Sequence, residues 1–257
     1  MVPKTASSRD DVRRRLLYAS VGMMAAAPAT LLYNLSTGTR GLSRFADALR
    51  ADTETNGRTR EELEAEGVIP GDSRLITESG DMVRELDANV DALKMNPVRR
   101  IGEKLFNRIV APQQVASGSN AFYLRREGKK PIIAVPPGKM SPTLVRHELG
   151  HFLADSSRPA PGDYQREYAA ASRRVLLSAL FRPDRIRDDD GTLTRYGLEV
   201  EAWDKSGVDP SNRLRRLALS TYRGKARRDA LMRVASIVGL AGLGLGIYTL
   251  KRYPFGT

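Results

Sequence analysis

The sequence has no cysteine, which excludes disulfides, thiolate metal sites and a cysteine nucleophile. Histidine is nearly absent as well: His147 and His151 are the only two in 257 residues. Aromatic residues make up only 6% of the chain, so its core must be built mainly from Leu, Val, Ile and Ala. Acidic residues are outnumbered, 30 against 42 Lys and Arg, for a formal net charge of +12. That balance suits anionic lipid, nucleic acid or an acidic partner. No zinc finger, RNA-recognition signature or aromatic-interleaved basic stripe accompanies it, so nucleic acid is not favoured. There is no internal repeat and no long low-complexity tract.

What the chain does have is two stretches without charge. The first runs from Leu16 to Thr39, the second from Val234 to Leu250. A bilayer core takes about 20 apolar residues as a helix. The second stretch is bounded by Arg233 and by Lys251 and Arg252, with Tyr248 and Tyr253 at interfacial positions. Gly242 and Gly246 form a GxxxG pair, a spacing that lets helices approach closely and offers a surface for a homo- or hetero-oligomer. The first stretch holds Pro28 and Asn34 and is the weaker span. Its basic end resembles that of a signal peptide, but the apolar part is long and lacks a clear cleavage site. Arg213, Arg215, Arg216, Arg223, Lys225, Arg227, Arg228 and Arg233 precede the second stretch. The positive-inside rule then places the large middle region on the cytoplasmic side of a membrane.

The expected organisation is a basic tail and apolar helix over 1–39, a helical or linker region over 40–117, a folded domain over 118–229 that holds both histidines, and a membrane helix with tail over 230–257. Residues 44–66 are polar and read as loosely helical or partly disordered. Met82, Val83, Leu86, Val90 and Leu93 recur at helical spacing, as do Val98, Ile101, Leu105, Ile109 and Val110, with Asn96-Pro97 between them. Residues 120–124 and 131–135 read as two strands of a hairpin. Ser141-Pro142 starts a helix, with Ser as N-cap and Pro at the first helical position. Further helices are expected over about 164–181 and 193–205, then a basic helix from Ser211 that runs into the second apolar stretch.

The helix after Ser141 carries His147-Glu148-Leu149-Gly150-His151. Histidines at i and i+4 lie on one helix face, where both imidazoles can reach one ion at the roughly 2.0–2.1 Å that zinc prefers. Glu148 beside them can take a proton from an attacking water. The pattern uses both histidines of a His-poor chain, on a stretch with independent helix signals. A catalytic zinc has three protein ligands and an open position, and there is no third His. A Glu on a later helix is the remaining common choice, and 198–204 is the segment that offers it. Glu199 and Glu201 point about 200° apart on a helix, so only one of them can face the metal.

At these residues the sequence resembles the gluzincin metallopeptidases, and within them the membrane-bound CAAX prenyl protease and heat-shock membrane protease type. That pattern is an Asn-Ala-Phe strand, a second strand, a His-Glu-x-Gly-His helix, and Glu-x-Glu-Ala-Asp on a later helix. The chain shows Asn120-Ala121-Phe122, Ile132-Ile133-Ala134-Val135, the 147–151 motif, and Glu199-Val200-Glu201-Ala202. The likeness covers about residues 118–206. It implies one Zn2+ held by His147, His151 and Glu199, with Glu201 as the fallback, and Glu148 as catalytic base. It also implies that Asn120, Ala121 and Phe122 form an edge strand that binds substrate peptide. The pattern's Asp is Trp203 here, with Asp204 one place later. No residue is singled out to stabilise an oxyanion; Tyr164, Tyr168, Tyr196, Tyr222 and several arginines are candidates.

These readings lead to an α+β, mainly helical protein: a minimal zincin-like domain flanked by one or two membrane helices. Its expected function is membrane-anchored, zinc-dependent hydrolysis of a peptide or protein substrate. The alternative is a catalytically inactive, zincin-like structural membrane protein in a larger assembly, associating with partners or anionic lipid.

Overall fold

The structure is a computed structural model that describes residues 5–69, 73–76, 78–92, 97–109, 122–124, 130–135, 138–160, 162–173 and 177–253. Its elements in chain order are α1 (Thr5–Asn56), α2 (Arg60–Ala65), β1 (Arg74–Ile76), α3 (Ser79–Ala92), α4 (Pro97–Ile109), β2 (Phe122–Leu124) and β3 (Ile132–Ala134). There follow α5 (Pro142–Ser156), α6 (Asp163–Arg173), a 3-10 turn (Leu177–Leu180), α7 (Arg195–Lys205) and α8 (Arg213–Arg252). The protein is thus mainly helical with a small sheet. The described residues fall into two compact units, one within Met1–Thr39, Val175–Pro183 and Lys225–Thr257, the other within Arg40–Arg174 and Asp184–Gly224.

The first unit contains two helical stretches long and apolar enough to cross a membrane, Asp10–Asn34 of α1 and the apolar part of α8. They are not buried core helices. Val21, Leu31, Leu32 and Tyr33 of one, and Ile237, Leu240, Leu243 and Ile247 of the other, are exposed. The two helices meet along small residues. A Cβ added to Gly242 would stand 2.6 Å from the Met23 Cβ, and one added to Gly246 would stand 2.7 Å from the Ser20 hydroxyl. The GxxxG pair therefore faces the chain's own first helix. Asn34 Nδ2 closes the same pair by donating to the Arg228 carbonyl at 3.1 Å. Pro28 lies inside α1 without ending it.

The second unit is built on the sheet, in strand order β1-β3-β2. β2 and β3 pair antiparallel, as the hairpin reading expects, and β1 pairs parallel to β3. The period of two sorts the side chains. Leu75, Tyr123 and Ile133 share a register and pack with Leu144 and Val145 of α5, Leu63 of α2, and Ala48 and Leu49 of α1. Ile76, Ile132, Ala134 and Leu124 pack with Met82 and Leu86 of α3. Both faces of β3 are covered, so its three residues are all buried.

Residues 44–66 correct the loosely helical or disordered reading. α1 continues through them to Asn56, and α2 carries a capping box in which Thr59 and Glu62 satisfy each other's backbone. Leu63 is fully buried against the sheet, which anchors this polar segment. Of the helix expected over 164–181, Asp163–Arg173 is α-helical and Leu177–Leu180 is a 3-10 turn instead; 174–176 lie outside the described residues.

Candidate metal centre

α5 starts where its chemistry requires. The Ser141 hydroxyl accepts the Leu144 N–H at 3.1 Å, and Pro142 occupies the first turn, where no N–H is needed. α7 starts the same way, with the Thr194 hydroxyl accepting the Gly197 N–H at 2.9 Å. Gly150 has no side chain to hold α5 away from the Ala202 carbonyl of α7. The two helices thus pack backbone against backbone at the level of the histidines.

That approach brings Glu199 onto the histidine pair. Its Oε2 lies 3.4 Å from His147 Nε2 and 3.6 Å from His151 Nε2. These separations are long for good hydrogen bonds, and Oε2 is buried without a hydrogen-bond partner. Two donors that each sit about 2.0–2.1 Å from a tetrahedral zinc stand about 3.3–3.4 Å apart. The spacing is close to that of ligands sharing an ion, and among the described residues His147, His151 and Glu199 are the group of donors that could hold one. The donor set, two imidazoles and one carboxylate, fits zinc.

The hydrogen bonds around the cluster prepare it for a cation. The Tyr164 hydroxyl gives its single proton to the Leu198 carbonyl at 2.9 Å and lies 2.9 Å from His151 Nδ1. With that proton committed, His151 Nδ1 must be the donor, which leaves Nε2 with a free lone pair. Tyr168 donates to the other oxygen of Glu199, Oε1, and itself accepts from Arg195 Nε at 3.2 Å. His147 stacks on Trp203, ring centroids 4.1 Å apart and 15° from parallel. Trp203 replaces the Asp of the resembled pattern with a ring that fixes the imidazole plane. Asp204 pairs instead with Arg215 of α8.

Burial would push the Glu199 carboxyl up, but the two imidazoles and the Tyr168 hydroxyl outweigh it and hold it down at about 2. Burial lowers the His151 imidazole to about 4, with Glu199 pulling the other way. The cluster thus places a His151 ring disfavoured as a cation beside an ionised Glu199, both buried. Glu148 is 3% exposed. Burial, and then the Glu199 charge, pushes its carboxyl well above the usual carboxylate range. Its Oε2 has no hydrogen-bond partner.

The sequence expectations divide as follows. His147, His151 and Glu199 come together, with Glu148 on the same helix. Glu201 points elsewhere: both its oxygens bind Arg158, at 2.6 and 2.7 Å, and Arg158 also reaches Glu167 at 3.0 Å. Phe122 lies in β2, which the strand order puts at the end of the sheet. Asn120 and Ala121 lie outside the described residues. Of the oxyanion candidates, Tyr164 meets His151, Tyr168 donates to Glu199, and Tyr196 meets Arg223 at 3.5 Å.

Residue-pattern reading missed Asp155, a buried carboxylate that accepts from the Tyr123 hydroxyl at 3.1 Å and the Gly162 N–H at 3.2 Å. It ties the edge strand to the metal-site helix. Its place one turn after His151 was the available signal. No protein-family model matches the chain, and neither a curated protein nor a solved structure matches it.

Proposed function

We propose that the chain is a membrane-anchored, zinc-dependent peptidase of gluzincin type, whose peptide or protein substrate binds beside β2. The observation that supports this most directly is the convergence of His147 Nε2, His151 Nε2 and Glu199 Oε2 at 3.4 and 3.6 Å, with the Glu148 carboxylate one residue from the first ligand. Bound there, zinc would supply Lewis acidity, making water acidic near neutral pH and drawing charge from a carbonyl oxygen. The chain's own part is positional and proton-carrying. Glu148 takes a proton from the attacking water at its free Oε2 and returns it to the amine nitrogen as the C–N bond breaks and the C–O bond forms. An edge strand offers main-chain donors and acceptors to an extended peptide, which aligns one bond with the cluster. The basic approach to the apolar part of α8 favours a cytoplasmic position for this unit.

One observation favours a second reading, an inactive zincin-like structural membrane protein. His147, Glu148, His151 and Glu199 are all buried, Glu199 fully. A structural metal site is closed, whereas a catalytic one keeps a position open. A Glu148→Gln variant separates the two. The peptidase reading expects zinc at about one per chain in both proteins, with peptide hydrolysis present in the parent and absent in the variant. Equal turnover in both would reject the role of Glu148, and zinc without hydrolysis in either would favour the structural reading.

A further inference from the structure

We infer that α4 is a membrane-surface helix that lays its apolar stripe into an anionic lipid headgroup layer. Ile101, Leu105 and Ile109 are 69%, 57% and 52% exposed. At i, i+4 and i+8 they occupy an arc of about 80° on a 13-residue helix, a continuous stripe rather than scattered surface residues. Most amphipathic helices turn such a stripe to the core. α4 does the reverse, and its inner face is already engaged. Asn107 donates to Asp87 of α3 at 3.2 Å, Arg108 bonds the same carboxylate at 3.2 Å, and Lys104 bonds Asp91 at 2.8 Å. The helix is therefore docked on α3 through polar groups, and its greasy side faces outward.

The charge selects the occupant. α4 carries four basic residues, Arg99, Arg100, Lys104 and Arg108, against one acidic residue, Glu103. A second copy of α4 laid on the stripe would bring like charges together, which is unfavourable. An anionic bilayer surface answers both features at once: acyl chains take the stripe, and headgroups meet the exposed Arg100. The same chain carries two helices long and apolar enough to cross a membrane. This inference does not depend on the metal site.

The absence of cysteine makes the test clean. Leu105→Cys, and separately Asp189→Cys as an exposed control, are labelled with an environment-sensitive fluorophore in the full chain. Each is placed in nanodiscs of phosphatidylcholine alone or mixed with phosphatidylserine. The Leu105 label is expected to shift to the blue and to be quenched by doxyl-labelled acyl chains, more strongly with phosphatidylserine, while the Asp189 label stays open to aqueous iodide. Reversing Arg99→Glu and Arg100→Glu together is expected to remove the phosphatidylserine dependence, as is high salt. A Leu105 label as open to iodide as the Asp189 label in both lipids would overturn the inference. So would protection already complete in detergent with label-to-label contact, since that would mean a second copy covers the stripe.

Discussion

Glu199 and Glu201, two residues apart on α7, face opposite partners: Glu199 faces His147 and His151, and Glu201 pairs with Arg158. The helical twist that separates them predicts different losses. Glu199→Gln should release zinc, because an amide oxygen is a far poorer ligand than a carboxylate. Glu201→Gln should keep zinc and instead lower stability by about 1.5–3 kcal/mol, the range for hydrogen bonds to a charged group. Zinc content and thermal unfolding of both variants check this. Zinc loss in the Glu201 variant alone would reverse the ligand assignment.

Tyr164 sets the tautomer of His151, so Tyr164→Phe should act on the metal more than on the fold. The ring is retained and its packing with Leu198 and Ala154 survives. What is lost is the acceptor for His151 Nδ1–H at 2.9 Å. Loss of such an outer partner typically weakens metal affinity about 10–100-fold. Competition against a chelator of known affinity measures it, and unchanged affinity would remove Tyr164 from the account.

The close packing of α5 on α7 rests on one missing side chain. A Cβ on Gly150 would lie 1.9 Å from the Ala202 carbonyl oxygen. Gly150→Ala should therefore force the helices apart, costing at least about 1–3 kcal/mol as overpacking, and should separate Glu199 from the histidines. Gly80, in α3, has nothing within 4 Å of the same added atom. Gly80→Ala should stabilise by up to about 1 kcal/mol from helix propensity. Unfolding curves of the pair give the comparison, and equal behaviour would show that the contact does not constrain the helices.

The two apolar helices can be examined through the cysteine-free background. Ser20→Cys combined with Gly246→Cys places a sulfur where the serine hydroxyl now stands 2.7 Å from an added Cβ. Oxidation should give a cross-link within one chain, seen as a mobility shift without a dimer band. Cross-links only between chains would instead assign the glycine face to oligomerisation.

Local patterns carried much of this protein's legibility. The Ser141 cap, the Pro142 start and the histidines at i and i+4 all act within one helix, so spacing alone placed them. The two apolar stretches were equally plain, since helix length against bilayer thickness needs no partner. β1 was missed because three residues carry little periodicity and their strand partner among the described residues, β3, lies beyond α3 and α4. For residues 44–66 the helical alternative holds, but their order was not legible for a related reason: Leu63 is one apolar residue among charges, and the sheet it packs on makes that residue an anchor.

By itself the sequence determined the helix that carries His147, Glu148 and His151 and the two apolar helices, because each follows from neighbours along the chain. Tertiary structure decided which glutamate meets the histidines, how the Tyr164 hydroxyl orients His151, and that α4 turns its apolar side outward. Those outcomes depend on how separate helices pack, and packing is set by contacts between residues far apart in sequence.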